Sequence, residues 1–123
     1  MVQARNEEEL GKALKNEVDE IEISADLERN VYKIKARGKV AWLVAAGAIG
    51  TAVVFLLASP GTMGTSAIAA APTFLVASTA LGGASVATSA IMIAVAAGGV
   101  GALNSLRNYN LVKENGKAIL RRK

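Results

Sequence analysis

The feature that most constrains this chain is a long stretch without any charged side chain. Residues 40–106 contain no Asp, Glu, Lys, Arg or His, although both flanking segments are rich in them. The outer face of a water-soluble domain carries charge, whereas a helix that faces lipid is predominantly apolar. The sequence therefore predicts three parts: an N-terminal arm (residues 1–39), a transmembrane helical region (residues 40–106) and a basic C-terminal tail (residues 107–123).

Two segments of the uncharged block are long enough to cross a bilayer. Residues 40–59 would form about 30 Å of helix, which matches the hydrocarbon core, and residues 84–106 are similar in length. Between them, residues 64–81 are interrupted by Pro72, which removes a helical hydrogen bond. The predicted fold is a membrane all-α core, with either two full transmembrane helices and a Pro-broken re-entrant segment, or three helices.

Basic residues flank both ends of the block. Because Lys and Arg accumulate on the cytoplasmic side of membranes, they predict a multi-pass protein of the inner (plasma) membrane with both termini in the cytoplasm. We expect the flanking basic residues and an interfacial tryptophan to set this topology and to contact lipid head groups. They are Lys33, Lys35, Arg37, Lys39, Trp42, Arg107, Arg121, Arg122 and Lys123.

The two ends of the chain carry signals of regular structure. Asn6 followed by Glu9 is typical of a capping box at the start of a helix, and a second amphipathic helix is predicted from near Asp26. The alternation in residues 20–23 (EIEI) predicts a strand, and Asn115-Gly116 predicts a hairpin turn. We expect both termini to form one small cytoplasmic α+β cap that joins the hairpin to the N-terminal arm. The alternative is two independent, partly disordered tails.

Small residues are concentrated in the uncharged block, above all in the stretch VAAGGVGAL. In a bilayer, small residues let two helix backbones approach closely. We therefore predict a helix-packing seam, which lies either within one monomer or between copies in a homo-oligomer. The seam residues are Gly50, Ala94, Gly98, Gly99, Gly101 and Ala102.

The sequence offers no arrangement of residues that is typical of catalysis. It lacks Cys and His, and with them the most common nucleophiles, bases and metal ligands. No ionisable group lies within the block, which argues against proton relays, voltage sensors and ion-coupled transporters. We expect no enzyme activity, no catalytic residues, no cofactor, no metal and no nucleic-acid partner.

The arm RNEEEL…DEIEI, the Ala/Gly-rich block and the C-terminal Asn-Gly hairpin together resemble small uncharacterised bacterial membrane proteins of the same layout. The resemblance implies a bacterial origin and a membrane location, and it implies no activity.

The expected function is that of a small integral membrane protein that self-associates through its Gly/Ala-rich helices. It would act as an oligomeric scaffold or anchor with a cytoplasmic interaction module. The expected partners are membrane lipids, further copies of the chain and a cytoplasmic protein. The alternative is a membrane pore-former of the holin or toxin-effector type.

Overall fold

A computed structural model describes residues 2–57 and 74–122, which form an α+β arrangement of helices around a four-stranded sheet. The strands are β1 (Val2–Ala4), β2 (Glu20–Ile23), β3 (Asn110–Glu114) and β4 (Lys117–Arg121). The helices are α1 (Glu7–Lys15), α2 (Ala25–Ala36), α3 (Lys39–Leu57), α4 (Phe74–Leu81), α5 (Ala84–Ala97) and α6 (Gly101–Asn108).

The two ends of the chain share one sheet, with strand order β1-β2-β4-β3. β1 is parallel to β2, while β4 is antiparallel to both β2 and β3. The register aligns Ile21, Leu120 and Leu111 across three strands, on the face that packs against the hydrophobic core. The connection between β3 and β4 is the Asn115-Gly116 turn, in which both residues have positive φ (54° and 77°), as a type I′ turn requires.

Local capping sets the boundaries of the first two helices. The Asn6 side chain accepts a hydrogen bond from the Glu9 N–H (2.9 Å), and Glu9 Oε1 accepts one from the Arg5 N–H (3.1 Å). The predicted helix start at Asn6 is therefore confirmed. Ser24 caps α2, which ends at Ala36 because Arg37 is extended and does not continue the helix through Gly38.

The centre of the fold is α5, which packs against α1, α2, α3, α4 and α6. Most of its side chains are buried, including Ile91, Ile93 and Ala94, which are fully inaccessible. α1 crosses it so closely that a Cβ added to Gly11 would lie 2.5 Å from Ile93 O and 2.7 Å from Ala96 Cβ. The apolar surface of α5 is thus covered by protein, including the charged N-terminal arm.

The prediction of a membrane all-α core, with two full transmembrane helices and a re-entrant segment or with three helices, is wrong. The segment 84–106 is not one helix, because it breaks at Gly98 into α5 and α6. Among residues 2–57 and 74–122, only α3 is individually long and apolar enough to cross a membrane. The pair α4 and α5 meets these criteria only together, and it is bent by 113°.

The predicted multi-pass location in the inner membrane, with both termini cytoplasmic, is wrong for the same reason. β2 pairs with β4, so the segments before and after α3 form one sheet and must lie on the same side of any membrane. That arrangement needs an even number of crossings, whereas the described residues supply one candidate helix besides the pair α4 and α5, which is bent by 113°. Pro72, on which the re-entrant segment was predicted, lies outside the described residues.

Candidate interaction surface

α3 is apolar on both of its sides. Its inner side packs into the core through Ala45, Ile49 and Ala52, which are fully buried. The outer side and the neighbouring α4 expose seven large apolar side chains, between 40% and 79% of each being accessible. We call this surface the apolar face, and it consists of Val40, Leu43, Val44, Val54, Phe55, Leu75 and Val76.

The spacing of these residues follows from helix geometry. Positions 40, 43, 44, 47, 51, 54 and 55 recur every three or four residues and so lie on one side of α3. The middle of this stripe is small, because it holds Gly47 and Thr51. Within residues 2–57 and 74–122, no atom beyond the adjacent residues and backbone of α3 itself lies within 4 Å of a Cβ added at Gly47. A second helix could therefore approach the backbone of α3 closely at this point.

A groove of about 460 Å³ lies between α3 and α4 within the apolar face. It is lined by Ala41, Val44, Leu75, Val76, Thr79 and Ala80. Thr79 is its one polar lining residue, and its hydroxyl donates to Leu75 O of its own helix at 3.0 Å. The groove therefore presents no unsatisfied polar group and suits another apolar side chain.

Two basic side chains, Lys35 and Arg107, connect the α2–α3 junction to the end of α6 through hydrogen bonds. Lys35 Nζ donates to the carbonyl oxygens of Leu106 (3.4 Å), Arg107 (3.1 Å) and Tyr109, at the C-terminus of α6. Arg107 in turn donates to Ile34 O (2.8 Å) and Arg37 O (3.0 Å), at the C-terminus of α2. Lys35 of α2 thus donates to carbonyl oxygens at the end of α6, and Arg107 of α6 donates to carbonyl oxygens at the end of α2. The last carbonyls of a helix have no hydrogen-bond donor within the helix itself. We call Lys35 and Arg107 the capping pair.

Trp42 completes this junction. Its ring lies beneath the Arg107 guanidinium, 4.7 Å from Cζ to the ring centroid, and its Nε1 donates to Asn104 Oδ1 at 2.8 Å. Burial lowers the pKa of Arg107, yet an arginine remains charged at neutral pH. Trp42, Lys35 and Arg107 were predicted to face lipid head groups, and the structure places them in contacts within the chain.

Tyr109 anchors the start of β3, a role that no sequence pattern indicated. Its side chain is buried, and its hydroxyl donates to Val18 O at 2.6 Å. Burial is the largest cause of the raised pKa of Tyr109. The phenol thus ties the C-terminal hairpin to the loop before β2.

The remaining predicted head-group residues occupy varied environments. Lys33 and Lys39 are exposed, and contact of these two with lipid head groups stays a prediction. Arg37 packs against Gly82 at the turn between α4 and α5. Arg121 pairs with Glu20 and Glu114 at 2.7 Å each, and Arg122 pairs with Asp19 at 3.4 Å. Lys123 lies outside the described residues.

The predicted seam residues cluster around the break between α5 and α6. Gly98 ends α5 in the left-handed conformation (φ 87°), which favours glycine, and Gly99 N–H returns to Ala94 O. Gly101 begins α6, and Ala102 packs against the core. Ala94 is fully buried, while Gly50 faces Val100. Their role as a seam between copies stays a prediction.

Neither the apolar face nor the capping pair was identified from the sequence. The exposed positions of α3 have the spacing of one helix side, but the buried positions between them are equally apolar, so hydropathy alone does not separate the two sides. No group of three or more metal-ligating side chains occurs within residues 2–57 and 74–122.

Comparison with known proteins places the chain in a family. No curated protein and no solved structure matches it. A family model with the description "Uncharacterised protein PM1101" matches residues 3–120, which is nearly the whole chain. The chain, with its α+β fold and exposed apolar face, therefore belongs to the uncharacterised protein PM1101 family.

Proposed function

We propose that this protein is a self-associating scaffold without enzyme activity, and that two copies meet through the apolar face. The observation that carries the proposal is the exposed apolar outer side of α3, which runs from Val40 to Phe55 and continues onto Leu75 and Val76. A chain that leaves such a surface in water loses the free energy that burial would provide.

The size of the face supports a protein partner. Seven side chains exposed to this degree present on the order of 700 Å² of apolar surface, similar to the ~800 Å² that each partner contributes to a standard interface. The largest apolar patch of a typical monomer is about 300–600 Å². A second copy would cover the face without a further component.

The small centre of the face favours a second copy over lipid. Glycine within a helix costs roughly 1 kcal/mol relative to alanine in water, and lipid contact would not offset that cost. Close contact between two helices does offset it, because Gly47 and Thr51 let the backbones approach while larger side chains pack on either side. The shared sheet also argues against α3 as a single membrane crossing, since β2 pairs with β4.

Charge placed on the apolar face should separate the copies. We expect the double variant Leu43→Glu/Val54→Glu to be monomeric by sedimentation velocity at tens of micromolar protein, where the parent chain is a dimer or larger. A carboxylate cannot be buried unpaired at an interface without a penalty of several kcal/mol. Both positions are exposed in the monomer, so the fold should persist by circular dichroism.

The matched control carries the same charge change elsewhere. Ser105→Glu/Asn108→Glu alters two exposed positions of α6 and should leave the oligomeric state unchanged. A monomeric parent chain, or equal dissociation by both double variants, would contradict the proposal. Graded dye release from liposomes by the parent chain, abolished by Leu43→Glu/Val54→Glu, would instead favour the pore-forming alternative.

A further inference from the structure

β3 lies at one edge of the sheet, and its outer side has no strand partner among the described residues. In an antiparallel pair, hydrogen-bonded and non-hydrogen-bonded positions alternate. The two-residue turn makes Glu114 and Lys117 a hydrogen-bonded pair. Leu111 and Lys113 therefore lie at non-hydrogen-bonded positions of the β3–β4 pair. Their backbone N–H and C=O groups therefore face away from β4 and are available to a further strand.

α2 runs alongside this edge in the opposite direction. Near its start, Glu28 pairs with Lys113 at 3.0 Å. One turn further on, a groove of about 300 Å³ lies between α2 and the start of β3. The groove is lined by Tyr32, Lys35, Ala36, Tyr109, Asn110 and Leu111. A strand added to β3 would thus lie beside the outer side of α2.

Beyond its first turn, which holds Asp26, the outer side of α2 is aromatic and basic. The side chain of Tyr32 is 64% exposed, although an aromatic ring gains by burial. Arg29, three positions before Tyr32, and Lys33, directly after it, are exposed on the same half of the helix. Neither forms an ion pair within residues 2–57 and 74–122. These two cations are therefore available to carboxylates of a partner.

We infer that this surface binds an extended acidic peptide segment by strand addition to β3. Backbone hydrogen bonds from Leu111 and Lys113 hold the segment in register, and every second side chain of it faces α2. On that side, carboxylates meet Arg29 and Lys33 while an apolar group packs on Tyr32. A second copy of β3 is a poorer occupant, because it would bring a second set of the same basic side chains to the edge. This surface is separate from the apolar face, so the inference does not rest on the proposed self-association.

A labelled synthetic peptide tests the charge requirement. The probe is an eight-residue peptide with an N-terminal fluorophore in which Ser alternates with Glu, Val, Glu and Val, so that one side of the extended peptide carries both carboxylates and apolar groups. Binding is followed by fluorescence anisotropy. We expect saturable binding. The double variant Arg29→Glu/Lys33→Glu should weaken it at least tenfold, because both substitutions place a carboxylate beside the acidic peptide. The control Lys12→Glu/Lys15→Glu makes the same change in net charge on exposed positions of α1 and should alter the Kd less than twofold.

A second pair of measurements tests the strand geometry. A probe with N-methyl groups at alternate residues keeps its charge but loses the backbone donors on one edge. Two such probes, methylated in the two alternate registers, should differ in affinity at least tenfold, because only one edge of the peptide pairs with β3. Tyr32→Ala should weaken the unmodified probe several-fold. Absence of saturable binding, equal weakening by both charge variants, or equal affinity of the two methylated probes would overturn the inference.

Discussion

Gly11→Ala is expected to destabilise the protein by about 3 kcal/mol, the upper range for overpacking a tight contact. In an isolated helix the same change is favourable by roughly 1 kcal/mol, because alanine is the better helix former. Here the added methyl group would lie 2.5 Å from Ile93 O and 3.3 Å from Ala97 N, both backbone atoms of α5. Because those atoms cannot rotate away, α1 must shift off the core helix.

The measurement is urea unfolding followed by Trp42 fluorescence, since Trp42 is the only tryptophan and is 6% exposed. Gly101→Ala is the matched control, because Gly101 also lies in a helix and no atom lies within 4 Å of its added Cβ. We expect that control to be neutral or stabilising by up to ~1 kcal/mol. Equal unfolding midpoints for Gly11→Ala and the parent chain would show that α1 does not pack on α5 at this distance.

Arg107→Met is expected to cost about 3 kcal/mol of stability. Hydrogen bonds to charged groups contribute roughly 1.5–3 kcal/mol each, and Arg107 makes two of them, to Ile34 O and Arg37 O. The variant also loses the contact with the Trp42 ring, while methionine keeps part of the apolar stem. The last carbonyls of α2 would be left with fewer donors in a half-buried junction.

Arg122→Met is the control for loss of a positive charge near the C-terminus. Arg122 is exposed, and both its ion pair with Asp19 (3.4 Å) and its hydrogen bond to Glu17 O (3.2 Å) face solvent, so we expect a change below ~1 kcal/mol. Trp42 fluorescence should report the loss of the arginine above its ring only in Arg107→Met. If the two variants unfold at the same urea concentration, the capping pair does not hold the α2–α3 junction.

Features that depend only on residues close together in the sequence were predictable from the sequence. The Asn6 cap and the Asn115-Gly116 turn act through bonds and dihedral angles within a few residues, so they do not depend on the rest of the fold. The alternation of Glu20 to Ile23 likewise specifies a strand with one buried side. The sequence was also sufficient to show that the chain lacks Cys and His.

The environment of the uncharged block was not predictable in this way. Hydropathy indicates only how strongly a segment is excluded from water. A helix surrounded by protein is removed from water as fully as one surrounded by lipid, so hydropathy does not distinguish the two environments. Among the described residues, the apolar surface of α5 is covered by α1, α2, α3, α4 and α6, and of these α1 is charged and distant in sequence. Arg107 shows the same limit: a basic residue beside an apolar segment is typical of a membrane boundary, yet its partners are carbonyls about 70 positions earlier in the chain.

By itself, the sequence determined the capping of α1, the strand at residues 20–23 and the C-terminal hairpin, because each follows from short-range geometry. Only the tertiary structure decided that residues 40–57 and 74–106 of the apolar block pack into a protein core with one exposed apolar side. The physical reason is that the close approach at Gly11, the capping pair and the apolar face each arise from contacts between distant segments. Such contacts leave no hydropathy pattern that separates the side of a helix they bury from the side they leave exposed.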